Sequence, residues 1–160
     1  MGSKLGNKLM SGLIALVLLW LISPSVGGEP IPPGIHVELS TNKPLWLHIT
    51  LQPGTDSRLT VYASDLPWGN KYSMILIAVL PSGQSLKKEL TIDDPSPRQV
   101  SLDPKVPVSG DINLADVFGS LKDAIKASDV HLFWAYEAPE DLHIARHSGG
   151  WILIPQGVYK

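Results

Sequence analysis

The sequence contains no cysteine. That excludes disulfides, thiol nucleophiles, thiolate zinc sites, iron–sulfur clusters, blue-copper centres and lipid-modified cysteines. Charge of one sign is also missing: 13 Lys+Arg stand against 15 Asp+Glu, with no basic stripe. Nucleic acid is therefore not an expected partner. There is no Gly-x-Ser-x-Gly elbow, no phosphate-cradling glycine loop and no dinucleotide fingerprint. No apolar run approaches the roughly 20 residues that a membrane-spanning helix needs. What remains is 44% hydrophobic, enough to form a core, and rich in turn formers, with 14 Gly and 14 Pro.

The first residues read as a targeting segment. Lys4 and Lys8 precede the apolar run Leu13–Ile22, Pro24 breaks it, and Ser25 and Gly27 place small residues at −3 and −1. Charged n-region, short h-region and small-residue c-region make a secretory signal peptide over 1–27. The alternative is an uncleaved N-terminal anchor, the one route by which the chain would meet a membrane. Both charges removed are Lys, so the mature chain is more acidic than the precursor. An exported chain without cysteine points to a bacterial source.

Residues 28–34 (GEPIPPG) form a Pro-rich extended leader. From 35 to 160, short apolar runs alternate with Pro, Gly, Asp and Ser, the rhythm of an all-β sandwich or barrel. Ile35/Val37/Leu39, Leu45/Leu47/Ile49/Leu51, Leu59/Val61 and Leu86/Leu90/Ile92 have period-two spacing, which predicts strands with one buried face. Runs 72–80, 129–136 and 151–154 are apolar on both faces and predict central, covered strands. One short helix is expected near 114–126, with Ser120 and Asp123 as a capping box. It could cover a sheet or plug one end.

Histidines and carboxylates carry little chemistry at this spacing. His143 and His147 are four apart, but a strand would separate their rings by roughly 13 Å, too far for one ion. His36 and His48 fall on outward faces of adjacent predicted strands and could pair. No three-ligand spacing exists, and neither metal nor cofactor is expected. Asp93-Asp94 and the group Glu137, Glu140 and Asp141 read as turn residues. Ser148-Gly149-Gly150 reads as a tight turn. Trp134 and Trp151 are assigned to the core. Trp46, Tyr62 and Phe133 fall on faces assigned to solvent, and Trp68 lies in a Leu66-Pro67-Trp68-Gly69 turn. These four are the candidate surface anchors, because exposed aromatics commonly anchor binding surfaces.

The stretch Val100-Ser-Leu-Asp-Pro104, Ser109-Gly110, Asp111-Ile-Asn-Leu114 and Asp129-Val-His-Leu-Phe-Trp134 resembles the strand, proline-turn, strand, loop, strand phrase of secreted immunoglobulin-like modules. Pro104-Lys105-Val106 departs from that family's Pro-Gly-Glu turn. The resemblance implies a single antiparallel immunoglobulin-like β-sandwich of roughly seven to nine strands and implies no activity. The expected role is that of an exported, non-catalytic binding module for a protein or cell-envelope polymer. The alternatives are a secreted hydrolase inhibitor acting through the Trp68 loop, and a small hydrolase using the 137–141 carboxylates with His143 or His147.

Cleavage before Gly28 is expected from the small residues at Ser25 and Gly27. Intact-mass measurement of exported protein should show residues 1–27 missing. Full-length chain in the membrane fraction would instead favour an anchor.

Overall fold

Among the described residues, eight strands pair into three antiparallel sheets. The computed structural model describes residues 32–70, 72–89 and 98–158. The strands are β1 (Gly34–Leu39), β2 (Trp46–Gln52), β3 (Leu59–Tyr62), β4 (Met74–Val79), β5 (Gln99–Leu102), β6 (Val108–Asn113), β7 (Val130–Glu137) and β8 (His147–Ile154). One sheet has the order β1-β2-β6, another β4-β7-β8, and β3 and β5 form a two-stranded ribbon. Two short helices, α1 (Leu114–Val117) and α2 (Leu121–Ala127), lie between β6 and β7. Among the described residues no helix is long and apolar enough to cross a membrane.

Register fixes which side chains face inward. Leu47, Ile49 and Leu51 of β2 stand opposite Leu39, Val37 and Ile35 of β1, and opposite Ile112, Gly110 and Val108 of β6. On the other three-stranded sheet, Met74, Leu76 and Ala78 of β4 stand opposite Tyr136, Trp134 and Leu132 of β7. Both inner faces enter one core cluster, so the arrangement is sandwich-like. The Tyr136 hydroxyl donates to the Asp65 carbonyl at 2.7 Å, tying β7 to the turn after β3. Burial, with the Asp65 charge nearby, pushes the Tyr136 phenol well above its ordinary pKa.

Several expectations are corrected. The single helix near 114–126 is two helices, and the Ser120 side chain makes no capping bond. Asn113 is the cap that forms, its Oδ1 accepting from the Ala115 amide at 3.1 Å. Leu114, Val117, Leu121 and Ile125 are buried in the core, while Asp116, Lys122, Asp123 and Lys126 are exposed, so each helix packs one side onto the core. Residues 86–89 are not a regular strand. Leu86 donates to the Ala78 carbonyl, but Glu89 turns away to the Val117 carbonyl, which ends the pairing with β4. Residues 90–92 of that expected strand, and Asp93-Asp94, lie outside the described residues.

Ser148-Gly149-Gly150 is not a turn; it lies inside β8, and the Gly150 position is needed there. Gly150 pairs with Trp134, and a Cβ on it would stand 3.1–3.2 Å from the indole. Trp151, assigned to the core from sequence, is exposed. Extending β8 back to His147 sets its parity, placing Ile152 and Ile154 inward and Trp151 and Leu153 outward.

A second tryptophan–glycine contact holds the other sheet. A Cβ on Gly110 of β6 would fall within the Trp68 ring. Trp68 thus fills the space that the missing side chain leaves on the inner face. Gly110→Ala should push the indole out and lower stability by about 1–3 kcal/mol, the usual cost of overpacking. Denaturant unfolding checks this; an unchanged midpoint would show that Trp68 is not held there.

Candidate functional site

β7 is apolar on both faces, yet a sandwich buries only one of them. Its outward residues, His131, Phe133 and Ala135, stand opposite Val79, Ile77 and Ile75 of β4 and opposite Leu153, Trp151 and Gly149 of β8. Cross-strand registry therefore assembles an apolar surface on the outside of the β4-β7-β8 sheet. Trp151 and Ile75 are 61% exposed, Ile77 47%, Phe133 45% and Leu153 41%. Tyr72, just before β4, is exposed at the same end as Ile75. Contiguous apolar surface of this kind is uncommon on soluble monomers and marks sites of interaction.

The surface has relief. The row Ile77, Phe133 and Trp151 is a ridge of large side chains. The next outward row, Ile75, Ala135 and Gly149, drops to almost nothing over two of its three strands. A hollow of about 250 Å3 opens at this end, bordered by Tyr72, Ile75, Ala135, Glu137 and His147. The His131 and Trp151 rings lie 5.8 Å apart and close the opposite side of the ridge. The Lys88 ammonium stands 5.4 Å from the Tyr72 ring centre, and burial holds its pKa below the ordinary value.

The outer face of the β1-β2-β6 sheet has the opposite chemistry. His48 Nδ1 lies 2.8 Å from Asp111 Oδ1, and the Lys43 ammonium donates to Asp111 Oδ2 at 2.9 Å. These bonds, from Lys43 first and then His48, hold the Asp111 carboxyl below its ordinary pKa. Thr50 and Ser109 join their hydroxyls at 3.1 Å. Polar groups on this face are satisfied by one another. His36 and His48 do not pair: His36 lies opposite Thr50 and contacts Glu38 at 3.4 Å.

The four aromatic candidates do not form one site. Trp46 is half-buried on the polar outer face, with the Lys43 ammonium 4.9 Å from its ring centre. Tyr62 is exposed at the end of β3 in the ribbon. Trp68 is half-buried over Gly110, and it also borders a cleft of about 190 Å3 with Asn70, Ile112 and Asp116. Phe133 alone belongs to the apolar surface. Sequence reasoning missed Ile75, Ile77, Trp151 and Leu153. The two-sided apolarity of runs 72–80 and 151–154 was the signal; the parity of β8 was the missing datum.

Acid–base chemistry finds little support. Arg146 bridges Glu137 at 3.2 Å and Glu140 at 3.3 Å, so both carboxylates are ion-paired. Among the described residues no three His, Asp or Glu side chains are grouped to hold a metal ion. Compared with known proteins, the chain matches no family model and no curated sequence.

If the outward row is not part of the core, its truncation should be tolerated. Trp151→Ala should change unfolding free energy by no more than about 0.5 kcal/mol, whereas Leu132→Ala, one position along β7 from Phe133 and facing inward, should cost about 2–5 kcal/mol. Chemical denaturation of both variants measures this. Equal losses would mean that Trp151 is packed.

Proposed function

We propose that this chain is an exported, non-catalytic interaction module that engages its partner through the outer face of the β4-β7-β8 sheet. One observation carries the reading: Ile75, Ile77, Phe133, Trp151 and Leu153 expose a continuous apolar surface while polar positions collect on the other sheet. Export rests on the signal-peptide pattern of residues 1–27. The fold is read as immunoglobulin-like. In that architecture the first, second, fourth and fifth strands share one sheet, and the third, sixth and seventh share the other. With β3 as an addition, the orders β1-β2-β6 and β4-β7-β8 support this for six of the seven strands; β5, in the fourth place, departs from it by pairing with β3 instead of β6.

Neither rival gains from the geometry. A hydrolase inhibitor presenting Trp68 would have to release the indole from Gly110. A carboxylate hydrolase would have to use Glu137 and Glu140 while they share the single charge of Arg146.

The test substitutes Phe133 and Trp151 together by Ser, with Thr50→Lys on the polar sheet as control. The size of the native assembly recovered after export is measured alongside the melting temperature. The apolar-face variant should run smaller while still melting in one cooperative transition, and the control should match the unmodified protein. Retained association in the double variant would contradict the reading.

A further inference from the structure

We infer that the occupant of this face is a second copy of the chain, docked sheet to sheet about a two-fold axis. The inference rests on the interaction face proposed above and adds who covers it. Three observations lead there: area, relief and charge.

The exposed parts of Tyr72, Ile75, Ile77, Phe133, Trp151 and Leu153 amount to roughly 700 Å2. Two such faces would bury about 1,400 Å2, within the range of specific, stable interfaces.

Relief selects the geometry. Outward rows along a strand are about 6.8 Å apart. The ridge (Ile77, Phe133, Trp151) and the trough (Ile75, Ala135, Gly149) are adjacent outward rows, separated by the inward-facing row Leu76, Trp134 and Gly150. Consider a two-fold axis in the plane of the interface, running across the strands at that middle row. It leaves each strand over its own counterpart and exchanges ridge with trough. Trp151 then covers the partner's Gly149, Phe133 covers the partner's Ala135, and Ile77 meets the partner's Ile75. Both aromatic side chains find a small one, and the match is repeated by symmetry, as a two-fold interface requires. Facing sheets pack about 10 Å apart with strands within about 30° of each other, which allows this interdigitation. An axis along the strands would stack Phe133 on Phe133 and leave the troughs empty.

Charge argues against a lipid surface as occupant. Without its first segment the chain is net acidic. Glu137 and Glu140 stand at the trough end of the face, where Arg146 already engages them. A fluid bilayer would also have no use for a trough placed one row from a ridge.

Sedimentation equilibrium of the exported chain, from low micromolar to several hundred micromolar, tests the inference. The chain should pass from monomer to dimer, with no larger species. Ala135→Phe fills the trough and should weaken dimerisation at least tenfold even though it adds apolar surface. Phe133→Ala removes the knob and should weaken it similarly. The double variant Phe133→Ala/Ala135→Phe exchanges knob and hollow and should recover most of the lost affinity, a result that general stickiness does not produce. Melting curves check that each variant is folded. A chain that stays monomeric throughout overturns the inference, as does a dimer whose affinity rises with Ala135→Phe or fails to recover in the exchange variant. If the chain is monomeric and the Phe133/Trp151 double Ser variant still loses its native assembly, the face stands and its occupant is another molecule. If neither changes, the face reading falls as well.

Discussion

The central strand of a three-stranded sheet must satisfy both of its faces, and β7 is apolar on both. Its inward side chains, Val130, Leu132 and Tyr136, are buried. Its outward ones meet equally apolar neighbours on β4 and β8 and no cover among the described residues. Both helices between β6 and β7 were available to lie across that face. They point Leu114, Val117, Leu121 and Ile125 into the interior instead. The burial that stabilises one face therefore leaves the other as surface whose removal from water is still favourable.

Pairs of large and small residues shape the rest. Trp68 occupies the space above Gly110 on one sheet, and the Trp134 indole lies against Gly150 on the other. In both, a tryptophan is admitted to the interior because its cross-strand or facing neighbour has no side chain. The same contrast recurs on the outer face, where Phe133 and Trp151 lie one row from Ala135 and Gly149. There it has no internal counterpart among the described residues, and the proposed two-fold partner would complete it. The opposite sheet closes its outer face through Lys43, His48, Asp111, Thr50 and Ser109, which bond among themselves.

Much of this architecture was legible from spacing. Period-two runs located β1, β2 and β3, and the unbroken apolar runs located β4 and β7. In the turn before β6, Lys105 takes a left-handed φ of 56°, and its ammonium pairs with Asp56. What the sequence hid was parity and partner. Ser148-Gly149-Gly150 has the composition of a turn, so β8 looked short and Trp151 looked internal. Only pairing with β7 shows that the glycines are strand residues spaced around Trp134. Phe133 was assignable from alternation along β7, but Ile75, Ile77 and Leu153 become a site only when three strands are laid side by side. Trp46, Tyr62 and Trp68 were chosen as aromatics in polar or turn contexts, and each has its own local surroundings.

The claim most exposed to measurement is that the outer face of β4-β7-β8 is bare in a single chain and covered in the assembly. Hydroxyl-radical footprinting with mass readout reports it residue by residue. In dilute protein, Trp151 and Phe133 should be oxidised much faster than Trp134. Raising the concentration should slow Trp151 and Phe133 while leaving Tyr62, exposed on the β3–β5 ribbon, unchanged. Trp151 as protected as Trp134 at the lowest concentration would contradict the account, because the chain would then be covering that face itself.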